Sequence, residues 1–252
     1  MSEREPTNAR GPVDLGEATA TPEPLRVVLV SAGTGNPSST RLLGDRIAQK
    51  ALDLLREADA PATVGVIELG PLAVEIARAT VSGVVSADLQ AAIDRLAAAD
   101  AVIAAAPVYK AGISGLFKSF VDLLDNDLLV ARPILLAATA GSARHALVVD
   151  EQMRPLFAYM RGLTLPTSVF ATPEDWGAGE LGERIGRAAG ELAVLLRAGV
   201  GREIADRNWS AHQHEFGGSA TRAERTGADV DFDSDLMRLA TGGSLSRDGG
   251  QA

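Results

Sequence analysis

Five short apolar runs, each followed by a segment with apolar residues at helical spacing, constrain this chain more than any other feature. The first, Leu25-Arg26-Val27-Val28-Leu29-Val30, is the leucine and β-branched run of a strand buried on both faces. After it, Leu42, Leu43, Ile47, Leu54 and Leu55 recur with helical period up to Ala58. Thr63–Leu69 reads as a second strand, followed by helical segments Leu72–Thr80 and Leu89–Ala98 that Val81–Ala87 separates. Ala101–Ala106 is a third strand stopped by Pro107, and Leu116–Leu124 continues as a helix. Ile134–Ala138 and Thr164–Phe170 are the fourth and fifth strands, with helices over Arg144–Arg161 and Leu181–Leu196. Strand and helix in strict alternation predict an α/β fold, a three-layer sandwich whose parallel sheet is covered on both faces. Five strands suit the doubly wound order 2-1-3-4-5 better than an eight-stranded barrel.

Composition narrows the function classes. The net charge of −9 argues against nucleic acid, because neutralising many phosphates takes a basic surface. The absence of cysteine excludes thiol catalysis, disulfides and thiolate-bound metal. No apolar run reaches the roughly 18 residues of a membrane span, and the polar start carries no secretion signal, so a cytoplasmic protein away from membranes is expected. Residues 1–24 read as a disordered leader, 25–198 as the folded domain and 199–252 as a polar extension. Within that extension Phe232–Ala240 is a candidate docked helix.

In open α/β sheets a ligand sits beyond the carboxyl ends of the strands, where strand order reverses. Here that means the loops after strands one, three and four. The first, Ser31–Thr40, has Gly33 and Gly35 for a tight turn and places Ser38, Ser39 and Thr40 where the helix begins. Unpaired backbone N–H groups and the dipole at a helix start favour an anion. The plainer reading makes Ser39 or Thr40 an N-cap. Two rival phosphate motifs fail. There is no Gly-Lys-Ser/Thr, and Gly33-x-Gly35-x-x-Ser38 lacks the third glycine of the dinucleotide fingerprint, with Glu68 too distant to be its acid. The second loop, from Pro107, presents Val108, Tyr109 and Lys110, a flat amphipathic face with backbone amides beyond it. Its plain reading is a solvent-facing tyrosine and lysine. The third loop offers Thr139, Gly141 and Ser142, or else an ordinary turn capped by Ser142. His145, Trp176 and Trp209 read as packing or capping residues, and His212 with His214 as part of a polar tail, so no metal site is expected. A phosphoryl-accepting receiver domain shares the strand order but needs an aspartate where Ala104-Ala105-Ala106 stands.

Ser31–Thr40, Ala106–Lys110 with Ser114–Lys118, and Thr139–His145 together resemble the NAD(P)H-dependent FMN reductase family. The likeness is closest to the branch that supplies reduced flavin to luciferase-like monooxygenases. It spans Leu25–Arg197. The resemblance implies a flavodoxin-like fold, FMN as cofactor and NAD(P)H as co-substrate. It implies that Ser31, Ser38, Ser39 and Thr40 hold the FMN phosphate, that Pro107–Lys110 lie along the isoalloxazine, and that Thr139, Gly141 and Ser142 meet the flavin on the other side. It also implies a homodimer or homotetramer, and hydride transfer without a catalytic acid or base. Many relatives carry an arginine in the first loop. This chain has none there, and Arg41 is the candidate to compensate. Other readings are a flavoprotein reducing quinones, azo compounds or metal oxyanions, and a flavodoxin-type electron carrier.

Overall fold

The computed structural model describes residues 23–208. Strand β1 (Leu25–Ser31) pairs in parallel with β2 (Ala62–Glu68) on one side and β3 (Ala101–Tyr109) on the other. Strand β5 (Pro133–Thr139) continues the parallel sheet from β3. The last position is shared by β6 (Leu163–Thr164) and β7 (Val169–Ala171), both parallel to β5. Counting that pair as one strand, and setting aside the hairpin strand described below, the order is the expected 2-1-3-4-5 of a flavodoxin-like fold.

The pleat divides the core in two. In β1, Val28 and Val30 join one cluster while Val27 and Leu29 join the other. Helices α1 (Ser39–Glu57) and α6 (Gly179–Arg197) cover the second face. In α1 the buried Leu43, Ile47, Ala51 and Leu55 lie four residues apart, one stripe of the helix laid on β1 and β3. Helices α2 (Ala73–Ser82), α3 (Ala87–Ala97) and α4 (Gly115–Asp122) cover the first face. Gly83 ends α2 in the left-handed conformation, and Ser86 caps α3 by accepting the Leu89 N–H. The break expected over Val81–Ala87 is therefore present.

Three local expectations need correction. Pro107 does not stop β3, which runs on to Tyr109. The β1 pairing ends at Ser31 opposite Ala105, so the N–H that proline lacks faces a side where no rung remains. Beyond it the chain turns back at Lys110 and Ala111 into β4 (Gly112–Ile113), antiparallel to β3. The helix expected over Arg144–Arg161 is broken into a 3₁₀ turn (Ala143–His145), a π turn (Val149–Met153) and α5 (Arg154–Tyr159). Pro155 cannot donate to the carbonyl four residues back, and the wider π turn absorbs this, with Arg154 N–H bonding the Val149 carbonyl. The fifth strand is split around Pro166, where Arg154 bonds the carbonyls of Leu165 and Pro166. Helix α7 (Val200–Asn208) lies within the segment read as a polar extension. The leader, Trp209, His212, His214 and Phe232–Ala240 lie outside the described residues. Among the described residues no helix is long and apolar enough to cross a membrane.

Candidate functional site

At the carboxyl ends of β1, β3, β5 and β7 the loops enclose a cavity of ≈ 430 Å³. That lies in the range of small-molecule sites, roughly 300–1,000 Å³. One wall is the loop after β1, contributing Gly33, Thr34, Gly35, Pro37 and Ser38 before Ser39 and Thr40 open α1. The Asn36–Pro37 peptide is cis. The N-cap is Ser38, rather than Ser39 or Thr40, and its Oγ accepts the Arg41 N–H at 3.1 Å. Its carbonyl accepts the Leu42 N–H at 3.0 Å. Of the N–H groups that a helix start leaves without internal partners, those of Ser39 and Thr40 therefore stay available to a ligand.

Gly33 has no room for a side chain. A Cβ there would lie 2.0 Å from Ser38 Oγ and 2.9 Å from Thr40 Cβ. The backbone at Gly33 and the hydroxyl of Ser38 thus form a tight cradle that any larger residue would fill. The buried Thr40 Oγ1 is hydrogen-bonded to Thr139 Oγ1 at 2.6 Å, which ties the start of α1 to the end of β5.

The opposite wall is β3's end, Pro107, Val108 and Tyr109. It is braced from behind. Ser114 N–H donates to the Pro107 carbonyl, Ser114 Oγ accepts from Phe117 N–H, and Gln152 bonds both Ile113 N–H and the Ala111 carbonyl. Lys110 (φ 51) and Ala111 (φ 65) form a two-residue turn with both residues left-handed, a conformation that suits Asn-Gly far better. Replacing Lys110→Asn with Ala111→Gly is expected to raise unfolding free energy by ~1 kcal/mol, measured by urea titration. An unchanged or lower value would show that this turn holds no strain.

Thr139, Ala140 and Gly141 form the floor, and Ala171, Thr172, Pro173 and Trp176 a fourth wall that the sequence reading did not assign. The available signal was Thr172 with Asp175 three residues on, a cap pattern directly after the last strand. Asp175 Oδ2 accepts both the Thr172 N–H at 2.7 Å and the Thr172 hydroxyl at 2.9 Å. The Thr172 N–H holds the Asp175 carboxyl below its ordinary range, burial opposes, and the hydroxyl and Arg184 add to the lowering. This fastening is present above the ordinary aspartate range and is lost as pH falls through the lower folded value. Trp176 lines the cavity and also packs, with the Arg46 guanidinium 5.8 Å above its ring.

Eight of the eleven residues expected from sequence line this cavity: Ser38, Ser39, Thr40, Pro107, Val108, Tyr109, Thr139 and Gly141. The other three do not. Ser31 is buried beneath the loop, Lys110 is exposed at the hairpin tip, and Ser142 precedes the 3₁₀ turn without a side-chain cap bond. Among the described residues the lining mixes hydroxyl-bearing and apolar side chains and includes no Asp, Glu, His, Lys or Arg. Arg41 does not compensate in the expected manner. Its Nε donates to Asp45 and its Nη1 to Glu68, each at 2.7 Å. Those two carboxylates, Asp45 foremost, raise its pKa against the opposing effect of burial.

The sequence profile of the NADPH-dependent FMN reductases matches residues 25–177. The NADH-dependent FMN reductase SfnE of Pseudomonas putida is 40% identical over 69% of this chain and 92% of its own length. The FMN reductase (NADPH) of Pseudomonas aeruginosa is 39% identical over 61% of this chain and 80% of its own. Among solved structures, an oxidoreductase from Corynebacterium diphtheriae superposes with a TM-score of 0.68 at 42% identity, covering 69% of this chain and 98% of that one. Fold, cavity position and sequence agree: the chain belongs to the NADPH-dependent FMN reductase family.

Proposed function

We propose that the protein binds FMN in this cavity, reduces it with NADH or NADPH, and passes the reduced flavin to a separate luciferase-like monooxygenase. The observation that carries the reading is the uncharged cradle of Gly33, Ser38, Ser39 and Thr40 at the start of α1, lining one cavity with Pro107, Val108 and Tyr109 at the end of β3. The hydroxyls and the two available N–H groups of α1 suit a phosphate. Pro107, Val108 and Tyr109 suit a planar ring, with Thr139 and Gly141 beneath it. When bound, the flavin supplies the hydride-accepting ring. The chain's part is to hold that ring against Pro107–Tyr109 and to leave one face open for nicotinamide. The monooxygenase partner, a homo-oligomeric state and a cytoplasmic setting rest on the family resemblance described above.

The test is nicotinamide absorbance with purified protein and free FMN, in air and anaerobically. Fast oxidation that scales with added FMN, and slow oxidation with quinones, supports a flavin supplier. No oxidation under either condition leaves the electron carrier. Co-substrate choice gives a second result. Among the described residues no cation lines the cavity and Arg41 is held by two carboxylates, so a ribose 2′-phosphate finds no dedicated partner there. kcat/KM for NADH is expected to equal or exceed that for NADPH. Asp45→Asn with Glu68→Gln should shift the ratio toward NADPH by about fivefold, equivalent to ~1 kcal/mol. A strong NADPH preference in the unmodified protein would contradict this.

A further inference from the structure

The opposite end of the sheet carries a second cavity, of ≈ 520 Å³, formed where β1, β3 and β5 begin. Arg26 is the second residue of β1, Asp100 directly precedes β3, and Arg132 directly precedes β5. Helix α7 adds Arg202. Three arginines thus line one cavity against two carboxylates, Asp100 and Glu23, on a chain whose net charge is −9. Pro24, Ala97 and Ala98 complete the wall and offer no broad apolar face.

The carboxylates do not satisfy the guanidinium groups. Each Asp100 oxygen already has one partner, Oδ1 accepting from Arg202 Nη2 at 3.0 Å and Oδ2 accepting the backbone N–H of Arg26 at 2.8 Å. Arg132 donates Nη2 to the Ala97 carbonyl at 3.2 Å. The guanidinium of Arg26 has no hydrogen-bond or ion-pair partner among the described residues. The three cations also feel one another. Burial lowers the Arg132 pKa, Arg202 and Arg26 lower it further, and Asp100 opposes them.

The position of Arg202 is set by the fold. Its neighbour Gly201 is buried against the loop that leads to Arg132, where a Cβ would stand 2.4 Å from the Ala131 carbonyl oxygen. Helix α7 lies beyond residues 25–177, the span matched by the family profile. Arg202 is thus held beside Arg132 at the start of β5.

We propose that this cavity binds a compact polyphosphate anion, with Arg26, Arg132 and Arg202 as its ligands. Planar guanidinium forks match phosphate oxygens in pairs, and three of them against two carboxylates leave the cavity with an excess of positive charge for an anion. The site is separate from the phosphate cradle at the start of α1 and does not depend on the flavin reading.

The test is calorimetric titration of the full chain with inorganic pyrophosphate, with FMN already added so that the α1 cradle is filled. One pyrophosphate per chain is expected, with affinity falling as salt rises. Arg26→Ala with Arg202→Ala should weaken it about tenfold or more, while Arg26→Lys with Arg202→Lys keeps part of it, because charge remains and the fork is lost. Both arginines are exposed, so the variants should fold, and their FMN affinity should equal that of the unmodified protein. No binding by the unmodified chain, or equal binding by the alanine variant, would overturn the proposal.

Discussion

Gly33→Ala is expected to weaken FMN binding about 100-fold, a loss of ~2.7 kcal/mol. The added Cβ would stand 2.0 Å from Ser38 Oγ and 2.9 Å from Thr40 Cβ, so one of these groups must move. Thr40 is buried and bonded to Thr139, which leaves Ser38 to give way. Turning Ser38 aside removes its hydroxyl from the cradle and uncaps α1, which costs about 1 kcal/mol of stability. Quenching of flavin fluorescence measures the first effect and thermal unfolding the second. Gly190→Ala is the control. It lies in α6 away from the cavity lining, and a Cβ there meets nothing within 4 Å, so binding should be unchanged. Equal affinity for Gly33→Ala and the unmodified protein would mean that the loop holds no ligand.

Ser39→Ala combined with Thr40→Val is expected to weaken FMN by roughly 2–4 kcal/mol, since hydrogen bonds to a charged group contribute about 1.5–3 kcal/mol each. Thr40 has a second role that must be separated from the first. Its hydroxyl shares a buried hydrogen bond with Thr139, and valine at position 40 strands the Thr139 hydroxyl. Stability should then fall by about 1–3 kcal/mol. Adding Thr139→Val removes the stranded group and should restore most of the stability, because two apolar groups of the same shape replace the bonded pair. FMN affinity should stay low. Recovery of both together would show that Thr40 acts only as a structural tie.

The sheet was legible because its chemistry is local. Val27 and Leu29 alternate with Val28 and Val30 toward two separate cores, and such a run has one plausible use. The cavity wall formed by Gly33 and Ser38–Thr40 was legible for the same reason, since these residues are close in sequence. The misreadings involve residues whose effect depends on distant partners. Pro107 was read as a stop, yet its missing N–H matters only if a neighbouring strand reaches that far, and β1 does not. Lys110 and Ala111 carry none of the usual marks of a left-handed turn, because Gln152 and Ser114 hold it from outside. The bridge from Arg41 to Glu68 spans 27 positions in the chain. The wall at Thr172–Trp176 joins the cavity because β7 ends at the same edge as β5. Pairing geometry decides each of these, and a single sequence does not display it.

The central claim is that the start of α1 holds the phosphate of a flavin. Parallel titrations with FMN and with riboflavin, which has the same ring and no phosphate, test it most directly. FMN is expected to bind about 100-fold or more tightly than riboflavin, with Gly33→Ala removing most of the difference. Equal affinities for the two flavins in the unmodified protein would contradict it.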